Sequence, residues 1–276
     1  MPHSPPQPVT VVPVSGESPK RAQRVAAQLM LPCRDRAGSA DLLLVVGEAE
    51  AWLELEGVKV NVQFDSAAMR HRRKGGHNEL LGRAVGVKAD RKPRIFDATG
   101  GMGRDAFVLA DLGCAVTLCE RVPVLLWLLQ EALSLASVSR YEPVRDAAAR
   151  MQIRAGDSQR QAVAAGSVIY LDPMFPERKK AAAVKKEALM LQSLTDVQDV
   201  GDALWAWAWA QPVERIVVKR PLRAPTPPWR LPRARRASRA RAACFPTRAR
   251  RRASPGTLSP PGLGHSRCFF RRSCRR

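Results

Sequence analysis

The chain has 276 residues and a formal net charge of +21, with 46 Lys and Arg against 25 Asp and Glu. Most of this excess lies at one end, because residues 222–276 contain 16 Arg and no Lys, Asp or Glu. No run approaches the roughly 18 apolar residues of a membrane-spanning helix, and the proline-rich N-terminus lacks the apolar centre of a secretory signal. The six Cys include no C-x-x-C pair, so they indicate neither a zinc nor a redox site. We therefore expect a cytoplasmic protein with reduced thiols, no metal and no membrane contact.

Two short N-terminal regions come first in chain order. Residues 1–20 are rich in Pro and Ser and show no useful periodicity, so they predict a flexible leader. Three short apolar or alternating runs follow between Asp41 and Phe64, namely LLLVV, AWLELE and VKVNVQF. Gly57 separates the last two, as in a β-hairpin. Residues 21–66 are therefore expected to form a small α+β element with antiparallel strands.

Residues 67–221 show the pattern of a Rossmann-like, doubly wound α/β domain. Buried strand-like runs alternate with amphipathic stretches, which is typical of a parallel sheet with helices on both faces. The predicted strands are RIF before Asp97, AVTLCE, MQIRAG, VIYLDP and RIVVKRP. The predicted helices are 104–112, 124–136, 178–194 and 200–210. Three Trp residues fall in the last helix, where Trp205 and Trp209 share a face and Trp207 does not. We interpret them as core residues rather than as a platform for stacked bases.

A glycine-rich loop with Asp97, Gly101 and Gly103 follows the first predicted strand of this domain and opens a helix. Glycines at such a turn let backbone N–H groups approach a ligand closely. Glu120 ends the next strand, where a carboxylate can accept hydrogen bonds from two ribose hydroxyls. The glycines also satisfy the dinucleotide fingerprint, so they alone leave NAD and S-adenosylmethionine (SAM) both open. Asp97 favours SAM, because a carboxylate suits a cationic amino-acid moiety better than a pyrophosphate.

The fourth predicted strand ends in Asp172-Pro173-Met-Phe175-Pro, at the edge of the sheet where ligands of open α/β sheets bind. An exocyclic amine of a nucleobase is a poor nucleophile, and Asp172 can hold its N–H hydrogens while a methyl group arrives. Pro173 stiffens the turn and Phe175 offers a face on which an extruded base can stack. Alone, such a motif is more often an ordinary strand end. Its coincidence with the glycine loop and Glu120 at one crevice favours the catalytic interpretation.

Further candidates lie after the third strand and in basic clusters. Asp157-Ser158 can accept from an adenine amino group, although Asp157 taken singly also suits a helix N-cap. Basic side chains near a base-sized crevice can hold phosphates, and these are Arg70, Arg72, Arg73, Lys74, Lys179, Lys180, Lys185, Lys186, Lys219 and Arg220. A solvated charged face explains such clusters equally well.

Taken together, the stretches AAMRHRRKGG, DATGGMGRDAFVLADLGC, VIYLDPMFPERKKAAAVKKE and RIVVKRP resemble the RsmJ-type bacterial 16S rRNA guanine-N2 methyltransferases. The resemblance implies a class I methyltransferase fold and transfer of a methyl group from SAM to N2 of a guanine in 16S rRNA of the small ribosomal subunit. The SAM-binding residues that it implies are Arg104, Asp105, Glu120, Arg121, Asp157, Ser158 and Asp172. The family often has Ser-Ser where this chain has Asp157-Ser158, which changes how the adenine end would be held.

The resemblance stops after Pro221, where relatives continue with two further strands. Residues 222–276 have the amino-acid composition expected when GC-rich coding DNA is translated in a shifted reading frame. We therefore interpret them as a disordered frameshift product, which would leave the sheet without its closing strands. A genuine arginine-rich RNA-binding extension is the alternative. Two rival functions also stay open: a non-catalytic basic RNA-binding protein, and an NAD-dependent oxidoreductase.

Overall fold

The computed structural model describes residues 8–35, 41–74, 77–173, 187, 190–194, 200–221 and 241–247. Its strands are β1 (Val9–Pro13), β2 (Leu42–Val46), β3 (Ala51–Leu55), β4 (Val58–Val60), β5 (Ile95–Asp97), β6 (Val116–Glu120), β7 (Met151–Ala155), β8 (Val168–Leu171), β9 (Arg215–Pro221) and β10 (Arg241–Thr247). Its α-helices are α1 (Lys20–Leu29), α2 (Ala67–Lys74), α3 (His77–Val85), α4 (Arg104–Asp111), α5 (Pro123–Ser137), α6 (Glu142–Ala149) and α7 (Val200–Ala210). In this part of the chain no helix has the length and apolar character needed to cross a bilayer.

The N-terminal strands form a separate four-stranded sheet in the order β1-β2-β3-β4. The pairs β2-β3 and β3-β4 are antiparallel as predicted, and Glu56 and Gly57 both have positive φ in the hairpin turn, as a type I′ turn requires. β1, however, lies within the predicted flexible leader. It pairs in parallel with β2, and its Val9, Val11 and Val12 are buried. The leader prediction is wrong for these residues, because a five-residue strand between prolines is too short to show periodicity.

The main sheet has the strand order β10-β9-β8-β5-β6-β7, and every pair in it is parallel. This arrangement confirms the doubly wound α/β fold. From β5 the chain proceeds outward through β6 and β7, and it then returns to place β8 on the other side of β5. The gap between the carboxyl ends of β5 and β8 is therefore the topological switch point, where such folds bind their ligands.

Apolar side chains cover both faces of this sheet, as a parallel sheet requires. On one face, α4, α5 and α6 pack over buried residues such as Leu118 and Tyr170. On the other, α7 packs against Phe96 and its neighbours. The Trp207 ring lies 6.0 Å from that of Phe96, and two further Trp rings of α7 stack on each other 5.7 Å apart. These contacts confirm that the tryptophans of α7 are core residues.

β10 lies in the stretch that the sequence predicts to be disordered. It pairs in parallel with β9 over seven residues, from Arg241 against Arg215 to Thr247 against Pro221. A parallel crossover needs about a dozen or more residues, and residues 222–240 provide that length. For residues 241–247 the prediction of an unstructured tail is therefore wrong, and β9 is not the edge strand. In the sequence its apolar run, ACF, is only three residues long and stands among arginines, so the pattern does not indicate a strand.

Candidate active site

The loop from β5 to α4 gives its two central glycines different surroundings. Gly101 has φ +51°, and a Cβ atom there would meet only the Thr99 carbonyl oxygen, at 3.7 Å. Gly103 has φ +64°, and a Cβ atom there would lie 2.7 Å from Leu129 Cδ2. Both backbone conformations favour glycine. Gly103 packs against the protein interior, whereas Gly101 faces open space and leaves its surface accessible to a ligand.

Asp97 is almost completely buried at the end of β5, with 2% of its surface exposed. Its Oδ1 accepts hydrogen bonds from the Thr99 N–H at 3.0 Å and from the Thr99 hydroxyl at 3.3 Å. Burial raises the pKa of Asp97 to about 7, the Thr99 N–H opposes this shift, and the nearby Asp105 and Asp172 add to it. A cationic group bound beside Asp97 would favour the ionised form. Contact of this carboxyl with the cofactor stays a prediction.

Glu120, at the end of β6, is joined directly to the glycine loop. Its Oε2 accepts a hydrogen bond from the Gly101 N–H at 2.6 Å, and its Oε1 accepts one from the Val122 N–H at 2.7 Å. Burial raises the pKa of Glu120, and these N–H groups oppose the shift. Each carboxylate oxygen has a second lone pair, so the group can still accept from a hydroxyl. The predicted adjacency of Glu120 and the glycine loop is present; its contact with ribose stays a prediction.

Asp172 follows β8 at the switch point and is held from two sides. Its backbone N–H donates to Thr99 Oγ1 at 2.7 Å, which fixes the turn after β8 against the glycine loop. Its Oδ2 accepts from Lys219 Nζ at 2.7 Å. The side chain is 37% exposed, so it is accessible from solvent. The predicted adjacency of Asp172 and the glycine loop is present, and its catalytic role stays a prediction.

Lys219 also joins Asp172 to a second carboxylate. Its Nζ donates to Asp105 Oδ2 at 2.8 Å, and the same oxygen accepts from the Tyr170 hydroxyl at 2.7 Å. Asp105 lies in the first turn of α4, Tyr170 in β8 and Lys219 in β9, so three neighbouring elements meet here. Lys219 was predicted to hold a phosphate near the crevice. In the structure its ammonium group lies between two carboxylates, and contact with phosphate stays a prediction.

Four carboxyl groups lie at this end of the sheet, those of Asp97, Asp105, Glu120 and Asp172. The ammonium of Lys219 lies between Asp105 and Asp172. Such a surface repels a pyrophosphate and attracts a ligand that carries positive charge. SAM has a sulfonium and an α-ammonium group, so these residues fit it better than they fit NAD.

Other predicted cofactor residues lie around the same edge of the sheet. Arg104 begins α4 and forms an ion pair with Glu187 at 2.6 Å, and Arg121 is exposed directly after Glu120. Asp157 accepts from the Gln159 N–H at 2.9 Å and caps the short 3-10 helix Ser158–Arg160, so the N-cap interpretation describes its local role. Because β7 pairs in parallel with β6, this turn lies beside that of Glu120.

Several predicted residues cannot be placed. Phe175, Lys179, Lys180, Lys185 and Lys186 lie outside the described residues. Helix α2 carries Arg70, Arg72, Arg73 and Lys74, but their side chains, like that of Arg220, are outside the described part of the chain. In the portion that is described, no group of three or more His, Cys, Asp or Glu side chains is arranged to hold a metal ion.

Sequence reasoning gave no role to Thr99 or Tyr170, and it assigned Lys219 to RNA rather than to the carboxylates of Asp105 and Asp172. A signal for the Asp172–Lys219 pair was present in the sequence. Leu171 is paired with Val218 across β8 and β9, so the next residue on each strand, Asp172 and Lys219, must also be neighbours. In the sequence this pair is indicated by two apolar runs on neighbouring strands, one followed by an acidic residue and the other by a basic residue.

Comparison with known proteins identifies the family. A family model described as SAM-dependent methyltransferase matches residues 26–240, which extends past Pro221. Ribosomal RNA small subunit methyltransferase J of Cellvibrio japonicus is 40% identical over 223 residues, covering 74% of this chain and 84% of that protein. The protein of the same name from Pseudomonas aeruginosa is 41% identical over 223 residues, covering 77% and 84%.

A solved structure supports the same assignment. The crystal structure of a SAM-dependent methyltransferase from Neisseria gonorrhoeae matches with a TM-score of 0.58 at 28% identity, over 77% of this chain and 84% of that one. The NAD-dependent alternative is thereby set aside, in agreement with the acidic crevice. With relatives that align along more than four fifths of their own length, this chain belongs to the ribosomal RNA small subunit methyltransferase J family of SAM-dependent methyltransferases.

Proposed function

We propose that the enzyme transfers a methyl group from SAM to the exocyclic N2 of a guanine in 16S rRNA of the small ribosomal subunit. The observation that carries this proposal is the Asp172 carboxylate, which is half-exposed at the switch point and held beside the glycine loop. The names of its relatives, which specify small-subunit ribosomal RNA, support the substrate class. We place the activity in the cytoplasm, where ribosomal subunits are assembled.

The chemistry requires an acceptor such as Asp172. The lone pair of a guanine N2 amine is delocalised into the ring, so the amine attacks only when its hydrogens are held and its geometry is fixed. SAM supplies the methyl group as an electrophile on a sulfonium. The N–C bond forms while the C–S bond breaks with its electron pair going to sulfur, and the amine loses one proton. The Asp172 carboxylate can first accept a hydrogen bond from the amine N–H and then take up the proton that the amine loses.

The other residues align the two reactants. Asp97 would face the cationic amino-acid part of the cofactor, the surface at Gly101 would admit the cofactor backbone, and Glu120 would accept a hydrogen bond from the ribose. Pro173 fixes φ directly after Asp172, which limits the ways in which the carboxylate can turn. Phe175 supplies the stacking face for the base. Alignment of this kind contributes a large share of the rate in bimolecular transfers.

The candidates for RNA contacts are the basic residues, whose side chains can hold phosphates. Four of them, Arg70, Arg72, Arg73 and Lys74, lie within five residues of the sequence of α2. Contacts of this type make affinity depend on salt, so binding to the ribosomal subunit is expected to weaken steeply between low and high ionic strength.

The test is methyl transfer from labelled SAM to small ribosomal subunits that lack the modification, followed by nuclease digestion and mass spectrometry of the nucleosides. The expected product is N2-methylguanosine. Asp172→Ala is expected to lose activity, whereas Asp146→Ala, which changes an exposed aspartate of α6, serves as the matched control. Label that remained in Asp172→Ala at the wild-type rate would refute the role of this carboxylate. RNA binding without any methyl transfer by the wild-type chain would favour a non-catalytic RNA-binding protein.

A further inference from the structure

Lys219 is a cation enclosed within the crevice rather than a surface charge. Its side chain is 21% exposed and lies between Asp172 Oδ2 at 2.7 Å and Asp105 Oδ2 at 2.8 Å. It projects from β9, a strand with a neighbour on each side. Its position is therefore set by the sheet and does not depend on a flexible loop.

The two ion pairs of Lys219 differ in their exposure. The side chain of Asp105 is only 11% exposed and is also bound by Tyr170, so this pair anchors the ammonium group. The side chain of Asp172 is 37% exposed, so its carboxylate binds Lys219 and is still accessible from solvent. A carboxylate held in this way has a fixed orientation, and its oxygens carry further lone pairs that can accept hydrogen bonds. Apolar residues commonly replace structural buried ion pairs without loss of stability.

We propose that Lys219 is a positioning residue for methyl transfer, which orients the Asp172 carboxylate towards the incoming amine and keeps it ionised at neutral pH. This inference rests on the proposed function of Asp172. An ionised carboxylate can accept the N–H hydrogen of the amine and then its proton, whereas a protonated one cannot. After transfer, the proton leaves Asp172 for solvent through the exposed side of the carboxyl group.

The charges around Asp172 explain why a cation is needed there. Asp97 at the end of β5 and Asp105 on α4 both repel a negative charge on Asp172, and Tyr170 of β8 is neutral, because burial and the nearby carboxylates raise its pKa well above the ordinary value. Burial alone would lower the pKa of Lys219, but Asp105 and Asp172 together raise it above the ordinary value. Lys219 therefore stays charged throughout the neutral range and offsets the repulsion.

Five variants test the inference. Lys219→Met removes the charge and keeps much of the side-chain volume, and Lys219→Arg keeps the charge. Lys92→Met makes the same change at an exposed lysine that precedes β5, near the amino ends of the strands rather than their carboxyl ends. The double variant Lys219→Met/Asp105→Asn removes the cation together with the buried carboxylate that it neutralises, and it is compared with Asp105→Asn if Lys219→Met alone does not fold.

The first measurement is the pH dependence of methyl transfer. Removal of an opposite charge next to a carboxylate moves its titration by about 1 to 3 pH units. We expect the acidic limb of the kcat profile of Lys219→Met to move upward by that amount and KM for SAM to stay within about threefold. Above that limb we expect kcat to fall at least roughly tenfold, because the carboxylate is no longer oriented. Lys219→Arg is expected to restore the wild-type acidic limb, and Lys92→Met to match the wild type.

The second measurement does not depend on activity. Carbon-13 NMR of aspartate carboxyl groups follows the titration of Asp172 in the cofactor-free protein, with its resonance identified by its loss in Asp172→Asn. The expected result is a higher titration midpoint in Lys219→Met than in the wild type, and in the double variant than in Asp105→Asn. An unchanged midpoint in both comparisons would overturn the inference, as would a kcat profile that keeps its wild-type acidic limb. A wild-type chain without methyl transfer would refute the proposed function, while the NMR titration would still decide the role of Lys219.

Discussion

The two glycines of the β5-α4 loop should respond to alanine in opposite ways. A methyl group at Gly103 would lie 2.7 Å from Leu129 Cδ2 and 3.2 Å from Phe64 Cζ, and one at Gly101 would meet nothing closer than 3.7 Å. Both variants place a Cβ atom in a left-handed backbone conformation, which costs about 1–2 kcal/mol. Only Gly103→Ala adds overpacking, at a further cost of about 1–3 kcal/mol. We therefore expect Gly103→Ala to lose roughly 2–5 kcal/mol of unfolding free energy and Gly101→Ala about 1–2 kcal/mol.

Binding should show the reverse order. The Gly101 methyl group would enter the space predicted for the cofactor, although alanine keeps the N–H group that donates to Glu120. We expect Gly101→Ala to bind S-adenosylhomocysteine at least roughly tenfold more weakly, which corresponds to about 1.4 kcal/mol. Gly16→Ala is the matched control, because Gly16 has φ +84° and no neighbour within 4 Å and lies far from the crevice along the chain. It should lose as much stability as Gly101→Ala and bind normally.

Urea unfolding followed by circular dichroism gives the stability difference, and isothermal titration calorimetry gives the affinity. Equal losses of stability in the Gly101 and Gly103 variants would show that the surface above Gly101 is not open. Wild-type affinity in Gly101→Ala would refute the assignment of this loop as the cofactor cradle.

Three further variants probe the surroundings of the crevice. Asp97→Asn should flatten the pH dependence of the unfolding free energy between pH 4 and 7. In this range the folded carboxyl, with a pKa of about 7, holds a proton that the unfolded chain has already lost, so wild-type stability falls by up to roughly 4 kcal/mol as the pH rises. Urea midpoints at several pH values measure this difference. Thr99→Val removes the acceptor of the Asp172 N–H and should cost about 1–3 kcal/mol in urea unfolding and lower kcat more than it raises KM. Phe64→Ala removes the ring that stacks on Phe107 at 4.5 Å and should cost about 3–5 kcal/mol in the same assay.

The sequence predicts the main sheet well because its strands are short apolar runs that end in glycine or a charged residue. The five predicted runs correspond to β5 to β9, and the predicted helix 200–210 has the bounds of α7. The helix α6 was missed, because EPVRDAAA has few apolar positions from which to read a period. The strands β1 and β10 were missed since each depends on a partner strand that is remote in the chain.

The candidate site was predictable to the extent that it depends on strand ends. Asp97, Glu120 and Asp172 each end or follow a buried run, and parallel pairing brings such residues to one edge. Hydrogen bonds between them are another matter, because they depend on register and on rotamers. The sequence does not show that Thr99 accepts from the Asp172 N–H, nor that Lys219 faces two carboxylates rather than solvent.

The acidic crevice also sets how cofactor binding and stability depend on each other. With no cation bound, Asp97 is buried beside two further aspartates, so its ionisation as the pH rises through 7 destabilises the folded state. A sulfonium and an ammonium in the crevice would relieve this repulsion, whereas Lys219 offsets only the part that involves Asp105 and Asp172. A ligand that binds only the folded state stabilises it by an amount that grows with the logarithm of its affinity. The stabilisation by S-adenosylhomocysteine, which keeps the ammonium but lacks the sulfonium charge, should therefore be smaller than that by SAM, and the difference should widen as the pH rises through 7.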